Sequence, residues 1–243
     1  MQARVTSNPH PTLVAIETSA QRCSVALAHA GVIRQLDLVL ASRNAEQALP
    51  MIEALLQAQG LDRCDVDAFA FASGPGAFTG LRVACALAQG LAFGCDRPVL
   101  AIGSLRALAW AAQATPGQRI MVATDARMGQ AYWAVFEAGE RMRCLAPAAL
   151  ADPPGLAPLV GLWRPDVIAG DALAAFESAW PQAAAARLLP QALADAASVA
   201  QLACVDWREG TARPARDAVP DYIRDKVALT VAQRLAVAAE SAR

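Results

Sequence analysis

The spacing of hydrophobic residues changes several times along the first 115 positions, and each change predicts a different element. Three short apolar runs separated by polar turns predict a meander of strands. Apolar residues three and four positions apart then predict a helix that Gly60 closes, and two strands alternate with two helices after it. The predicted strands begin at Leu13, Cys23, Val32, Asp67 and Pro98, and the predicted helices begin near Ala48, Thr79 and Ser104.

The second half of the chain repeats this order less clearly. The first half reads β-β-β-α-β-α-β-α, the element order of an RNase H-like domain, and a similar pattern restarts after Gly117. The stretch from 146 to 216 is rich in Ala and Pro and is harder to interpret. The predicted elements are strands over 120–125, 132–136, 141–145 and 166–170, a helix over 192–204, and an amphipathic helix over 225–241.

We therefore predict an α/β protein of two RNase H-like lobes, the architecture of the actin-like ATPase (ASKHA) superfamily. The first lobe is expected over residues 1–115, with a C-terminal helix over 225–243 packing on it. The second, degenerate lobe is expected over residues 116–224. The repeat is one of element order, because the two halves share no evident sequence identity.

Composition narrows the classes of function. Of 243 residues, 56% are hydrophobic and 18% are charged, which excludes a disordered chain. The net charge is -1, so the chain as a whole has little attraction for nucleic acid. Any contact with nucleic acid would therefore depend on a partner protein or on a local basic patch. No apolar run reaches the roughly 18 residues of a membrane span. Residues 1–11 lack the apolar core of a signal peptide, so we expect a cytoplasmic protein without membrane contact.

The six cysteines and two histidines are poorly spaced for metal or redox chemistry. No two cysteines form a Cys-x-x-Cys pair, so neither a zinc knuckle nor a redox motif is expected. The thiols are predicted to be small buried groups in a reducing compartment. His10 and His29 cannot form a His-x-x-x-His ligand pair, and both are expected to face solvent.

A polar tripeptide follows the first predicted strand, at the turn into the second. A two-lobed ATPase carries a carboxylate and hydroxyls at this hairpin, which reach metal-bound phosphate. On that interpretation Glu17 contacts a metal-bound water, and Thr18 and Ser19 contact phosphate. The alternative is an ordinary polar β-turn, since Thr and Ser are common turn residues.

Two further segments are candidates for the same chemistry. The loop containing Gly74 and Gly76 leads into a helix N-terminus, which offers free N–H groups to an anion. The alternative is a rigid connection in which Thr79 is the helix N-cap. Asp125 and Arg127 join two strands of the second lobe and either face the cleft between the lobes or belong to an exposed turn.

The helix after the glycine-rich loop has two apolar faces. A surface helix needs one apolar stripe, which covers the sheet beneath it. A second stripe predicts a second cover, supplied by another chain or by the rest of this one. One face comprises Leu81, Ala84, Cys85, Ala88 and Leu91, and the other comprises Val83, Ala86, Leu87 and Gly90.

Five motifs taken together closely resemble the TsaB family, over residues 12–224 with a weak middle. They are Ile16-Glu17-Thr18-Ser19, the run SGPGAFTGLR over 73–82, Gln89-Gly90-Leu91-Ala92, Asp125-Ala126-Arg127-Met128-Gly129 with Tyr132-Trp133, and Pro220-Asp221-Tyr222-Ile223-Arg224. TsaB proteins are actin-like-fold members of the bacterial machinery that makes N6-threonylcarbamoyladenosine in tRNA. They act beside TsaD, a paralogue that carries the catalytic metal site, and TsaE, a small ATPase.

The resemblance implies a non-catalytic subunit that docks on a TsaD-like paralogue and activates it. In TsaD two metal-binding histidines follow the glycine-rich loop, and Ser104 and Leu108 stand in their places here. Leucine cannot bind a metal and serine is a poor ligand, so no catalytic residue and no metal ligand is expected. ATP and a divalent metal are expected on the partner subunits only. The expected vestige of a nucleotide site comprises Glu17, Thr18, Ser19, Gly74, Gly76, Thr79, Asp125 and Arg127.

In the family, the first two helices of the first lobe contact TsaD, and the same surface can pair two TsaB copies. A TsaE-like ATPase would join through the complex, and the partner would hold most of the tRNA. The alternatives are an independent actin-like ATPase or phosphotransferase using Glu17, Thr18 and Asp125, and a metallopeptidase, which the two histidines disfavour. The expected contact residues are Leu49, Ile52, Leu55, Leu56, Arg82, Val83, Ala84, Leu87, Ala88 and Leu91.

Overall fold

The computed structural model describes residues 10–19, 22–38, 44–180 and 183–224, which build two five-stranded sheets with helices between and outside them. The strands are β1 (Leu13–Glu17), β2 (Cys23–His29), β3 (Val32–Leu38), β4 (Ala68–Gly74), β5 (Val99–Gly103), β6 (Arg119–Asp125), β7 (Ala131–Glu137), β8 (Arg143–Ala151), β9 (Val167–Ala169) and β10 (Arg187–Leu189). The helices are α1 (Asn44–Gln57), α2 (Phe78–Gly94), α3 (Ser104–Ala111), α4 (Pro153–Trp163), α5 (Ala172–Ala175) and α6 (Ala196–Arg208).

The two sheets share one topology, which confirms the predicted pair of RNase H-like lobes. The strand order is β3-β2-β1-β4-β5 in the first sheet and β8-β7-β6-β9-β10 in the second. In each sheet the first three strands are antiparallel, and the fourth lies parallel to the first. Helices follow the strands at the same places, although α5 has only four residues. The C-terminal helix predicted over 225–243 lies outside the described residues.

Side chains of the central strands alternate between two buried faces of the first sheet. In β4, Phe69 and Phe71 pack beneath α1 and α2, whereas Ala68, Ala70 and Ala72 face the opposite side. This alternation follows from the two-residue period of a strand. The alanine face lets a helix approach the sheet closely.

That close-packed helix is α6, which ends the second repeat but covers the first sheet. The side chains of Ser24 and Gln35, from β2 and β3, accept hydrogen bonds from the first N–H groups of α6 at 3.0 and 2.5 Å. The expected lobe over 116–224 therefore does not pack as one unit. Residues 119–189 build the second sheet and its outer helices, and the chain then returns to the first sheet.

Helices α3 and α6 form one layer between the two sheets, and an ion pair joins them. The guanidinium of Arg106 on α3 donates to both carboxylate oxygens of Asp206 on α6, at 2.8 and 2.9 Å. Both side chains are largely screened from water, with 22% and 12% of their surfaces exposed. Water therefore competes poorly for either charge, and the pair fixes how the two helices cross.

The glycine-rich loop packs directly on the turn between β1 and β2. A Cβ at Gly80 would lie 2.0 Å from the carbonyl oxygen of Thr18, and one at Gly76 would lie 2.8 Å from the Ser19 side chain. Thr79 is not the N-cap of α2: Ala77 holds that position, and no side chain caps the helix there. The close approach of the Thr18 backbone thus excludes any larger residue at Gly80. The glycine is needed for contact with this chain's own β1–β2 turn.

Two cysteines and one histidine have surroundings that differ from those the sequence predicts. Cys64 and Cys144 are exposed, so the prediction that the thiols are buried is wrong for both. His29 does not simply face solvent, because its Nδ1 lies 3.0 Å from the hydroxyl of Thr12 in hydrogen-bonding geometry.

No helix within the described ranges is both long and apolar enough to cross a membrane.

Replacing Asp206 by alanine should destabilise the fold, because it leaves the partly buried guanidinium of Arg106 without its carboxylate. We expect the free energy of unfolding, measured by urea denaturation, to fall by about 1.5–3 kcal/mol. Asp217→Ala is the matched control, since Asp217 lies 3.8 Å from Arg216 in an exposed pair and its loss should have no measurable effect. Equal losses in the two variants would contradict the role of the α3–α6 ion pair.

Two glycines of α2 should respond oppositely to the same substitution. Gly80→Ala should cost about 3 kcal/mol or more of unfolding free energy, because the new methyl group meets the Thr18 carbonyl. Gly90→Ala should instead stabilise the protein by about 0.5–1 kcal/mol, since nothing lies within 4 Å and alanine favours the helix. Thermal or urea unfolding of both variants tests this, and a stable Gly80→Ala protein would refute the contact.

Candidate functional site

Four of the five family-like motifs contribute residues to a cleft of about 590 Å³ between the two sheets. Its walls come from the β1–β2 turn, the start of α2, the start of α3, the β6–β7 turn and a C-terminal segment. Residues separated by more than 200 positions in sequence thus share one cavity. The lining residues used below are Ser19, Gly76, Phe78, Ser104, Leu108, Asp125, Arg127, Tyr132, Asp171, Asp221, Tyr222 and Arg224.

The structure divides the predicted nucleotide-site residues into two groups. Ser19, Gly76, Asp125 and Arg127 line the cleft. The other four do not line it, and they are Glu17, Thr18, Gly74 and Thr79. Thr79 is exposed, whereas the remaining three are buried beneath the cleft wall. Only half of the expected vestige therefore faces the space where a ligand would lie.

The polar groups of the β1–β2 turn are already engaged within the protein. One carboxylate oxygen of Glu17 accepts hydrogen bonds from the Ser19 main-chain N–H at 2.5 Å and from the Ser19 hydroxyl at 2.6 Å. The Thr18 hydroxyl donates to the Gly80 carbonyl at 2.7 Å. The expected contacts of both hydroxyls with phosphate would require them to give up these bonds, and Glu17 is fully buried and does not line the cleft, where a metal-bound water would lie. The turn is therefore organised to hold α2 in place.

Asp125 and Arg127 belong to the tight β6–β7 turn and also line the cleft, so both predicted locations are correct. The carboxylate of Asp125 accepts hydrogen bonds from the main-chain N–H of Arg127 at 2.7 Å and from its guanidinium at 3.0 Å. Arg127, Met128 and Gly129 all have positive φ angles, which this tight turn requires. The Asp125 N–H donates in turn to the Asp171 carboxylate at 2.9 Å. The segment is a tight turn, and it also lines the cleft.

Residues 221–224, the 221–224 strap, fasten the C-terminal segment to the first lobe. The Asp221 N–H donates to the Ser73 carbonyl at 2.7 Å, and the Ser73 hydroxyl donates to the Asp221 carboxylate at 2.6 Å. The Tyr222 ring lies 5.6 Å from the Phe78 ring, and its hydroxyl accepts a hydrogen bond from Arg82 at 3.1 Å. These contacts hold the strap across the start of α2.

The same strap reaches the second lobe through Arg224. Its guanidinium donates to the Gln130 side chain at 2.8 Å and to the Arg127 carbonyl at 3.4 Å, and it lies 6.0 Å from the centre of the Tyr132 ring. The strap therefore joins both walls of the cleft. In the sequence this segment stood out only as one motif of the family resemblance. Its position across the cleft was not predicted, because its partners lie about 90 to 150 residues away along the chain.

The two positions at which the resemblance to TsaD would place metal-binding histidines also line the cleft. Ser104 and Leu108 are both buried at the start of α3, and the Ser104 hydroxyl oxygen lies 3.4 Å from that of Ser19. Leucine offers no ligand atom there. Within the residues that the structure describes, no three His, Cys, Asp or Glu side chains are grouped closely enough to hold a metal ion.

Helix α2 presents one of its two apolar faces to the sheet and the other outward. Leu81, Ala84, Cys85, Ala88 and Leu91 are buried against the sheet. The outward α2 face consists of residues that are exposed or half-buried, namely Val83, Ala86, Leu87 and Gly90. Apolar exposure extends past this face to Phe93, of which 61% is exposed.

Burial corrects part of the expected contact surface. Six of its ten residues lie in the core and cannot reach another chain in the folded state. They are Ile52, Leu55, Leu56, Ala84, Ala88 and Leu91. The other four, Leu49, Arg82, Val83 and Leu87, are at least partly exposed, and their role as contact residues stays a prediction.

Comparison with known proteins points to one family. The family model described as "TsaD: tRNA N6-adenosine threonylcarbamoyltransferase" matches residues 31–230. The "tRNA threonylcarbamoyladenosine biosynthesis protein TsaB" of Haemophilus influenzae is 43% identical over 123 residues, which are 50% of this chain and 52% of that protein. Its counterpart in Escherichia coli is 36% identical over 129 residues, covering 53% and 56%. These matches span about half the length of both curated relatives.

Two longer matches extend the similarity over most of the chain. An uncharacterized protein of Mycobacterium tuberculosis is 33% identical over 225 residues, covering 88% of this chain and 92% of that protein. The solved structure of YeaZ from Pseudomonas aeruginosa is 36% identical with a TM-score of 0.78, covering 87% of this chain and 99% of that one. With its motifs, its two-lobed fold and these relatives, the chain belongs to the TsaB family.

Proposed function

We propose that this chain is a non-catalytic subunit of the bacterial complex that installs N6-threonylcarbamoyladenosine on tRNA. The names of its curated relatives and of the matching family model support a role in this pathway. The observation that carries the subunit role is the outward α2 face, which is apolar and uncharged and stays exposed or half-buried among the described residues. The Ser104 and Leu108 side chains at the cleft support the absence of a metal-dependent active site.

The proposed partner is a TsaD-like catalytic paralogue, which this chain binds and activates. The outward α2 face is free of charged side chains, and Leu49 of α1 adds an apolar side chain that is 37% exposed. Such an uncharged helical surface suits the core of a protein interface, where charged residues are depleted. A second copy of this chain would cover the same face when the partner is absent. A TsaE-like ATPase would join through the assembled complex.

We also propose that ATP, divalent metal and most of the tRNA contacts belong to the partners, in the cytoplasm. The engaged hydroxyls of Thr18 and Ser19 support this division, because a phosphate would have to displace their internal hydrogen bonds. The net charge of -1 also gives this chain little general attraction for tRNA. The alternative, an independent ATPase or phosphotransferase, would need the cleft to bind nucleotide despite these bonds.

Leu87→Arg should break the proposed complex, because it places a charge at the centre of the outward α2 face. We expect affinity for the TsaD-like protein of the same organism to fall by about 100-fold or more, as measured by calorimetry and by light scattering on a sizing column. Formation of threonylcarbamoyladenosine by the reconstituted complex should fall in parallel.

Leu162→Arg is the matched control, since Leu162 is 70% exposed on α4 of the other lobe. This variant should bind as the natural chain does. Circular dichroism should show both variants folded. A complex that tolerates Leu87→Arg would remove this face from the proposal, and a natural chain that forms no complex at all would overturn the subunit role.

The purified chain alone should hydrolyse no ATP above background. Glu17→Gln should leave this background unchanged, because the Glu17 carboxylate bonds to Ser19 rather than facing the cleft. Release of phosphate from ATP and Mg²⁺ measures this directly. Sustained turnover by the natural chain, lost in Glu17→Gln, would establish the independent ATPase in place of the non-catalytic subunit.

A further inference from the structure

Two cysteines that are distant in sequence lie side by side on the surface of the first lobe. Cys64 belongs to the short turn over 63–65 that follows α1, and Cys95 lies at the C-terminal end of α2. Their Sγ atoms are 2.8 Å apart. Cys64 is exposed and Cys95 is half-buried, so one thiol of the pair is open to reagents in solution.

Hydrogen bonds and an ion pair hold both cysteine main chains in place. The Arg97 guanidinium donates to the Cys64 carbonyl at 2.8 Å, and the Arg63 guanidinium lies 2.5 Å from the Glu53 carboxylate of α1. The Cys95 N–H donates to the Leu91 carbonyl at 3.1 Å. The two thiols are therefore presented to each other by anchored backbone and do not depend on a chance encounter of mobile loops.

The structure assigns Cys64 and Cys95 as a redox-active dithiol, which forms a reversible disulfide with small-molecule disulfides such as glutathione disulfide. The two cysteines do not form a Cys-x-x-Cys motif, because 31 positions separate them in the sequence. Disulfides of proteins in reducing compartments are most often transient and regulatory, and an exposed pair of this kind fits that class. Its closure would covalently join the turn after α1 to the end of α2.

The reaction proceeds by two thiol–disulfide exchanges. The Cys64 thiolate attacks one sulfur of glutathione disulfide, which forms a mixed disulfide and releases one glutathione thiolate. The Cys95 thiolate then attacks the Cys64 sulfur, which forms the Cys64–Cys95 bond and releases the second glutathione. Two protein thiols are oxidised, one glutathione disulfide is reduced, and the two protons from the protein end on the two glutathiones.

The surroundings assign the two thiols different roles. Burial raises the pKa of Cys95 to about 11, the contact with Cys64 adds to this rise, and the guanidiniums of Arg97 and Arg63 oppose it. Cys95 is therefore a slow nucleophile toward reagents in solution. Cys64, which is exposed, is the thiol that meets the external disulfide, and Cys95 resolves the mixed disulfide from an adjacent position.

The test equilibrates the full chain with mixtures of reduced and oxidised glutathione, traps free thiols by alkylation and maps the peptides by mass spectrometry. We expect a Cys64–Cys95 disulfide in the native protein, formed at least about 10-fold more readily than in urea, because folding supplies a high effective concentration. The melting temperature should rise on oxidation by roughly 5–10 °C, as a cross-link between distant positions constrains the unfolded chain.

Three variants separate this pair from general thiol oxidation. Cys64→Ser should lose both the disulfide and the rise in melting temperature, and Cys95→Ser should instead accumulate glutathione on Cys64. Cys144→Ser, which removes an exposed thiol of the second lobe, should behave as the natural chain does. The proposal is overturned if native Cys64 stays reduced or ends as a glutathione adduct, or if Cys64→Ser retains the oxidative rise in melting temperature.

Discussion

Burial of both sheets against one shared helical layer is the constraint on which the whole molecule depends. Each sheet has an inner apolar face that needs cover, and α3 and α6 lie between the two inner faces. The alanines of β4 let α6 approach the first sheet closely, while α6 belongs in chain order to the second repeat. Neither lobe would keep a complete core if it were separated from the other.

This arrangement also explains the state of the cleft. The cleft lies where the glycine-rich loop, the N-terminus of α2 and the β1–β2 turn converge. Here Gly76 and Gly80 approach the turn itself, and the 221–224 strap is bonded to both walls. The polar groups of the turn are therefore engaged within the first lobe and the strap joins the two walls, which suits a subunit whose proposed work is to present a rigid surface.

The interior and the proposed docking surface share one helix. The inner side of α2 completes the core beneath it, and its outer side carries apolar residues to the surface. Both ends of this helix make contacts with other segments of the chain. The Cys64–Cys95 pair lies at one such end, and the strap with Tyr222 lies at the other, so both ends of α2 are tied to distant parts of the chain.

The sequence by itself determined the elements of the first sheet and their order, whereas it predicted neither α4, α5 nor β10 of the second repeat. Two-residue and helical periodicities marked the strands of the first sheet and the helices α1, α2 and α3, because those periods are local properties of the backbone. The motifs alone also identified the family. The extent of α2 was accurate, although its N-cap was not, because Gly80 and Ala77 are fixed by contacts with the β1–β2 turn.

Only the tertiary structure decided which apolar face of α2 points outward, that α6 covers the first sheet, and that the 221–224 strap closes on both lobes. It alone brought Cys64 beside Cys95. Each of these facts depends on contacts between residues far apart in the chain. Local periodicity records that a face is apolar, but it carries no information on which distant segment will cover it.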